Sequence, residues 1–151
     1  MKLINNRSSY HRLVYKTLKQ IFHFTLKEEI SYYDIIIDSL KFHGLAAEEE
    51  INIKEFRRFN RWRADIYISD LLLVIEVHGE DHFEPQRIKN KPEEEVRKLF
   101  FSRQRIDAQK ENICKEFNIK FLAIPYYEIN KNKKNFKKYL EDKIDGVINN
   151  V

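Results

Sequence analysis

The chain predicts an α/β fold, a mixed β-sheet (an antiparallel meander plus a further strand) with helices packed on it. Three observations carry this expectation. Two runs rich in β-branched and aromatic residues, "WRADIYI" from Trp62 and "LLLVIEVH" from Leu71, flank Ser69 and Asp70, a tight-turn signal. A third such run, "IKFLAIP" from Ile119, is stopped at Pro125. Apolar residues at helical spacing fill most of the rest of the chain.

In chain order, Tyr10, Leu13, Val14, Leu18, Ile21 and Phe22 mark a first helix, with Ser8 or Ser9 as its cap. A second helix is expected from about Tyr32 to His43, ended by Gly44. "EEINIKEF" from Glu49 alternates and reads as a strand that opens the meander. Pro92, tolerated in a first turn, starts a long helix with Val96, Leu99, Phe100, Ile106, Ile113, Cys114 and Phe117 as its buried stripe. A lysine-rich helix closes the chain from about Asn135. One domain is expected over residues 1–151: a helical part (1–45), a core (46–128) and a C-terminal helix (129–151).

Composition narrows the class. A net charge of +4 and a pI near 9.0 suit a polyanionic partner without requiring one. The single cysteine, Cys114, excludes a disulfide framework and a multi-cysteine zinc site. No run reads as a signal peptide or a membrane span, so a cytoplasmic protein with no membrane partner is the expectation.

The chemistry lies where charge enters the most apolar stretch. Side chains alternate faces along a strand, so Glu76 and His78 share one face. With Ser69-Asp70 as a two-residue turn, Ile68 pairs with Leu71 and Asp65 falls opposite Val74. That places Asp65 diagonal to Glu76 on the same face. Two carboxylates there repel each other and lose hydration unless a cation sits between them. Oxygen donors of this kind suit Mg²⁺ or Mn²⁺. Gly79 lets the backbone leave the sheet, and His82 brings an imidazole back toward the site.

Asp65 followed by Glu76-Val77-His78 resembles the PD-(D/E)xK signature of restriction-endonuclease-like nucleases, with His78 where lysine usually stands. "IEVHGEDHF" more narrowly resembles the branch of the very-short-patch-repair mismatch endonucleases and the phage EDxHD homing endonucleases. "RQRIDAQKENICKEFNIKFLAIPYYE", from Arg103, resembles the same branch. The likeness spans about Arg61 to Glu128. It implies a restriction-endonuclease-like core and a Mg²⁺- or Mn²⁺-dependent DNA endonuclease of phage or mobile-element type, acting in the host cytoplasm if phage-encoded. Asp65 would be the main metal ligand, assisted by Glu76. His78 would be the base or would hold the attacking water; as the base it would give a rate that levels off between about pH 6 and 8, moved toward the upper end by its carboxylate neighbours. His82 would steady the phosphate or leaving oxygen, Asp107 would complete the polar cluster, and Lys110 would contact phosphate. The branch usually carries a glutamate on its first helix. Here His11 stands near that place, and whether Glu28 or Glu29 joins the site stays open.

The segment "KEFRRFNRWR" mixes Lys54, Arg57, Arg58, Arg61 and Arg63 with aromatics, which suits contact with double-stranded DNA; Arg103 is assigned to the same surface. The bland reading is a β-connection with surface arginines. Lys131, Lys133, Lys134, Lys137 and Lys138 read as a solvated helix surface. Two further readings stay open: a structure-selective nuclease such as a junction resolvase, and a non-catalytic DNA-binding protein on the same fold. A homodimer is also left open.

Overall fold

The structure is a computed structural model that describes residues 4–23, 25–44 and 58–149, with the side chains of residues 4–8 excepted. Helix α1 spans Ile4–Ile21, strand β1 Leu26–Ser31 and helix α2 Tyr32–Phe42. Strands β2 (Arg63–Ile68) and β3 (Leu73–His78) form a hairpin, and helix α3 (Glu93–Glu116) leads to β4 (Lys120–Pro125). Helices α4 (Tyr126–Lys131) and α5 (Phe136–Asn149) follow. The four strands form one mixed sheet in the order β1-β2-β3-β4. β1, β2 and β3 run antiparallel in turn, and β4 lies parallel to β3.

Each face of the sheet has its own core. Ile66, Ile68, Leu73, Ile75, Leu122 and Ile124 pack against Val14 and Leu18 of α1 and Phe136, Leu140 and Ile144 of α5. Tyr67 and Val74 look the other way, toward Ile35 and Ile36 of α2 and Ile113 and Cys114 of α3. Truncating one of these fully buried side chains, Leu18→Ala for example, would cost about 2–5 kcal/mol. No helix among the described residues is long and apolar enough to cross a membrane.

Several expectations are corrected here. Ser8 and Ser9 lie inside α1, which starts at Ile4, so neither caps it. The serine that does cap a helix is Ser31, whose Oγ accepts the Asp34 N–H of α2 at 3.1 Å. The meander begins with β1, between the two N-terminal helices. Its sequence, "LKEEIS", is charged and mostly exposed, as suits an edge strand that must not pair with another chain. The strand expected at Glu49 lies outside the described residues. The closing helix is preceded by α4, so the C-terminal part holds two helices.

The long helix is buried only in part. Val96, Ile113 and Cys114 are buried, whereas Leu99 and Ile106 are 49% and 37% exposed. A 24-residue helix is about 36 Å long, and a six-residue strand only about 20 Å, so α3 outruns the sheet.

The hairpin turn is also longer than two residues. A 3₁₀ turn, Ser69–Leu71, and Leu72 in the left-handed region (φ 50°) connect strands in which Ile68 pairs with Leu73. The register therefore differs by two from the expected one. A two-residue slip preserves which face each side chain occupies, and it brings Asp65, one step beyond the Ile66↔Ile75 pair, beside Glu76, whose Oε1 accepts its N–H.

Candidate active site

The polar groups of the hairpin gather where β2 starts and β3 ends. Glu76 is 4% exposed, and both its oxygens are engaged. Oε1 accepts the Asp65 N–H at 3.2 Å. Oε2 accepts a short hydrogen bond from the Tyr32 hydroxyl and lies 3.5 Å from Lys110 Nζ. Burial pushes the Glu76 carboxyl up to about 7, against the pull of the Lys110 ammonium and with a further push from Asp65. Asp65 is better solvated. Its Oδ2 accepts the Val77 N–H at 2.7 Å, and Oδ1 faces His11 Nδ1 at 3.9 Å.

Lys110 has partners within the protein that its spacing in the sequence did not reveal. Besides Glu76, its Nζ donates to the Arg63 carbonyl at 3.1 Å and lies 5.3 Å from the centre of the Tyr32 ring. Tyr32 is the residue the sequence did not single out. It sits at the first position of α2, fully buried, and an aromatic there reads as core. Only the packing of α2 against β3 and α3 makes its hydroxyl the third partner of this group.

A second group is built from the turn after β3 and from α3. Gly79 leaves the sheet with extended backbone, and the 3₁₀ turn Glu80–His82 carries His82 back over His78. The two imidazoles stack at 4.1 Å and 9°. His82 Nδ1 is 2.8 Å from Asp107 Oδ2; a carboxylate only accepts, so Nδ1 carries the proton. Nε2 is then an acceptor for Arg103, 3.3 Å away. Asp81 adds an ion pair to Arg103 at 3.5 Å. Burial would raise the Asp107 carboxyl, but the hydrogen bond from His82 holds it below its ordinary value. Burial, then the neighbouring His82, hold His78 down at about 4, and the carboxylates of Asp107 and Asp65 do not offset them. That is opposite in direction to the shift expected from the sequence.

Both groups open into one cleft of about 640 Å³. Asp65, Glu76, His82, Asp107 and Lys110 line it, with Arg61, Arg63 and Arg103 among its basic residues. Of the basic segment, Lys54 and Arg57 lie outside the described residues. Arg58 stacks over Phe59 and Trp62 at 5.2 and 5.4 Å, and Phe59 is buried, so part of this segment anchors itself in the core. The wall beyond Arg103 is apolar, from the half-exposed Leu99 and Ile106 of α3 and from Ile88.

No family model matches the chain, and neither does any curated protein or solved structure.

Proposed function

We propose that the chain is a metal-dependent DNA endonuclease that hydrolyses phosphodiester bonds on a restriction-endonuclease-like core. The observation that carries this reading is the content of one cleft. A half-buried carboxylate (Asp65), an oriented imidazole (His82 on Asp107) and three arginines line it, and the half-buried ring of His78 stacks on His82. Arginines match phosphate geometry and charge, and the carboxylate–imidazole set suits hydrolysis at phosphorus. The phage or mobile-element character rests on the sequence resemblance alone.

Asp65, which lines the cleft, fits a hard divalent ion, Mg²⁺ or Mn²⁺, because Oδ2 takes the backbone bond while Oδ1 faces the His11 imidazole at 3.9 Å. Such an ion, when bound, supplies positive charge against the negative charge that builds up on the phosphate in the transition state. The chain's own groups do the rest. His78 is in its acceptor form at neutral pH and can take the proton of an attacking water. Arg103 is placed to hold a non-bridging phosphate oxygen, steered by His82 and Asp81. Arg61 and Arg63 border the approach of the backbone.

The test is a nicking assay on plasmid, linear and branched DNA with Mg²⁺, Mn²⁺ or EDTA. Metal-dependent cleavage is expected. Binding without hydrolysis in either metal would overturn the nuclease reading in favour of a DNA-binding protein. Cleavage confined to branched DNA would replace it with a structure-selective nuclease.

A further inference from the structure

The residues around Asp65 single out a metal-ligand set different from the pair of acids that the sequence suggests. The register pairs Glu28 with Ile66 and Ile30 with Ala64 and skips Glu29, whose backbone enters the left-handed region at φ 51°. Glu29, Asp65 and Glu76 form a row of acids all the same, because a Glu29 oxygen lies within 4.8 Å of one on Asp65 and Glu76 accepts the Asp65 N–H. The row is divided in its chemistry. At the Glu76 end the charge is already met by Tyr32, Lys110 and the Asp65 N–H, contacts with which a metal would have to compete. At the Glu29 end an imidazole joins. One donor atom from each of His11, Glu29 and Asp65 lies within 4.8 Å of the others.

The imidazole is held as a ligand should be. His11 Nε2 lies 2.7 Å from Glu28 Oε1, and its Nδ1 faces Asp65 Oδ1 at 3.9 Å. The Glu28 carboxylate can only accept, so Nε2 bears a proton, and in the neutral ring Nδ1 is the nitrogen that presents a lone pair toward Asp65. A carboxylate on the far nitrogen of a histidine is the arrangement that fixes ring orientation at metal centres. It is an observation independent of the clustering of His11 with the two acids.

We propose that His11, Glu29 and Asp65 hold the divalent metal of this cleft, with Glu28 orienting the imidazole and Glu76 outside the coordination sphere. This rests on the nuclease reading for its purpose but not for its test. One nitrogen and two carboxylate donors favour Mn²⁺ over Mg²⁺, since imidazole suits transition metals better than the harder ion. Glu76, paired with Lys110, then shapes the site from below by fixing the Asp65 backbone.

The experiment is Mn²⁺ binding to the metal-free full chain by titration calorimetry, with no DNA present. His11→Ala and Asp65→Asn should each weaken Mn²⁺ binding by at least about tenfold, and Glu28→Ala by about tenfold. Glu76→Gln should stay within about threefold of wild type. Thermal unfolding in EDTA checks that each variant is folded. Co²⁺ loaded into the wild type supplies a readout that does not depend on a variant's folding: the His11 ring should give paramagnetically shifted resonances. Wild-type Mn²⁺ affinity in His11→Ala, or a loss in Glu76→Gln equal to that in Asp65→Asn, would overturn the assignment, as would unshifted His11 signals with Co²⁺. A chain that binds Mn²⁺ in this way yet cuts no DNA would leave the metal site standing and remove the nuclease reading.

Discussion

Lys110 reaches down from the long helix to place its ammonium 3.5 Å from Oε2 of Glu76, the one charged side chain that is buried among the described residues. An ion pair so placed contributes little beyond what an apolar pair would, but removing its lysine is costly because the more deeply buried carboxylate is left unpaired. Lys110→Ala should lower stability by about 2–3 kcal/mol at pH 8, less than the full cost of a buried pair because the lysine keeps some contact with water. The loss should shrink at pH 5, where Glu76 can be neutral. Urea unfolding at the two pH values measures it. An equal loss at both would show that the lysine acts through packing alone.

Glu76→Gln should act in the opposite direction. With a folded pKa of about 7 against an ordinary 4.5, the folded chain holds the Glu76 proton more tightly than the unfolded chain does. The stability this confers is complete below the ordinary value and is lost as pH rises through the folded one. In EDTA, the glutamine variant should lack that decline and exceed wild type at pH 8 by roughly 1–3 kcal/mol. Parallel stability–pH curves for the two proteins would refute it.

Asp65→Asn should abolish most cleavage, on the order of 10³ in rate, while DNA binding and fold persist. The asparagine oxygen can still accept the Val77 N–H that Asp65 holds at 2.7 Å. Single-turnover nicking against gel-shift affinity separates the two effects, and wild-type rate in the variant would remove Asp65 from the chemistry.

His78 should set an acid limb rather than a neutral one. Burial and His82 hold its pKa at about 4, so the ring is already in acceptor form across pH 6–8. The rate should fall only as pH drops toward that value, because protonation removes the acceptor. His78→Ala should cost on the order of 10²–10⁴ in rate and should lack the acid limb. A pH–rate profile at saturating metal decides it. A wild-type inflection between pH 6 and 8 that disappears in the variant would show that the stacked pair opens when DNA binds.

Replacing Arg61, Arg63 and Arg103, which line the cleft, should weaken DNA binding at low salt. Each lost phosphate contact should also flatten the slope of log K against log salt by up to about 0.9. Fluorescence anisotropy across a salt series measures it. An unchanged slope would move the footprint elsewhere, with the C-terminal lysines next to be tested.

The sequence by itself determined the elements whose apolar period is strong. Strands β2, β3 and β4, helix α2 with its Gly44 stop at φ 73°, and the long helix after Pro92 follow from residue type and spacing alone. So does the sharing of one face by Asp65 and Glu76, because a period of two tolerates a two-residue error in register. Strand β1 was not legible: an edge strand is stabilised by backbone pairing to a neighbour, and "LKEEIS" carries no apolar alternation to announce it. Leu99 and Ile106 read as core because spacing reports which face of a helix is apolar but not how far the sheet beneath it extends. The state of each charge was decided only by the tertiary structure. Tyr32 and Lys110 come from distant elements to occupy Glu76, and His11 and Glu29 come from α1 and β1 to meet Asp65. The His78 ring is held below its ordinary pKa by partial burial and by His82 beside it. Solvation and through-space contact fix these properties, and neither is carried by the order of residues along a strand.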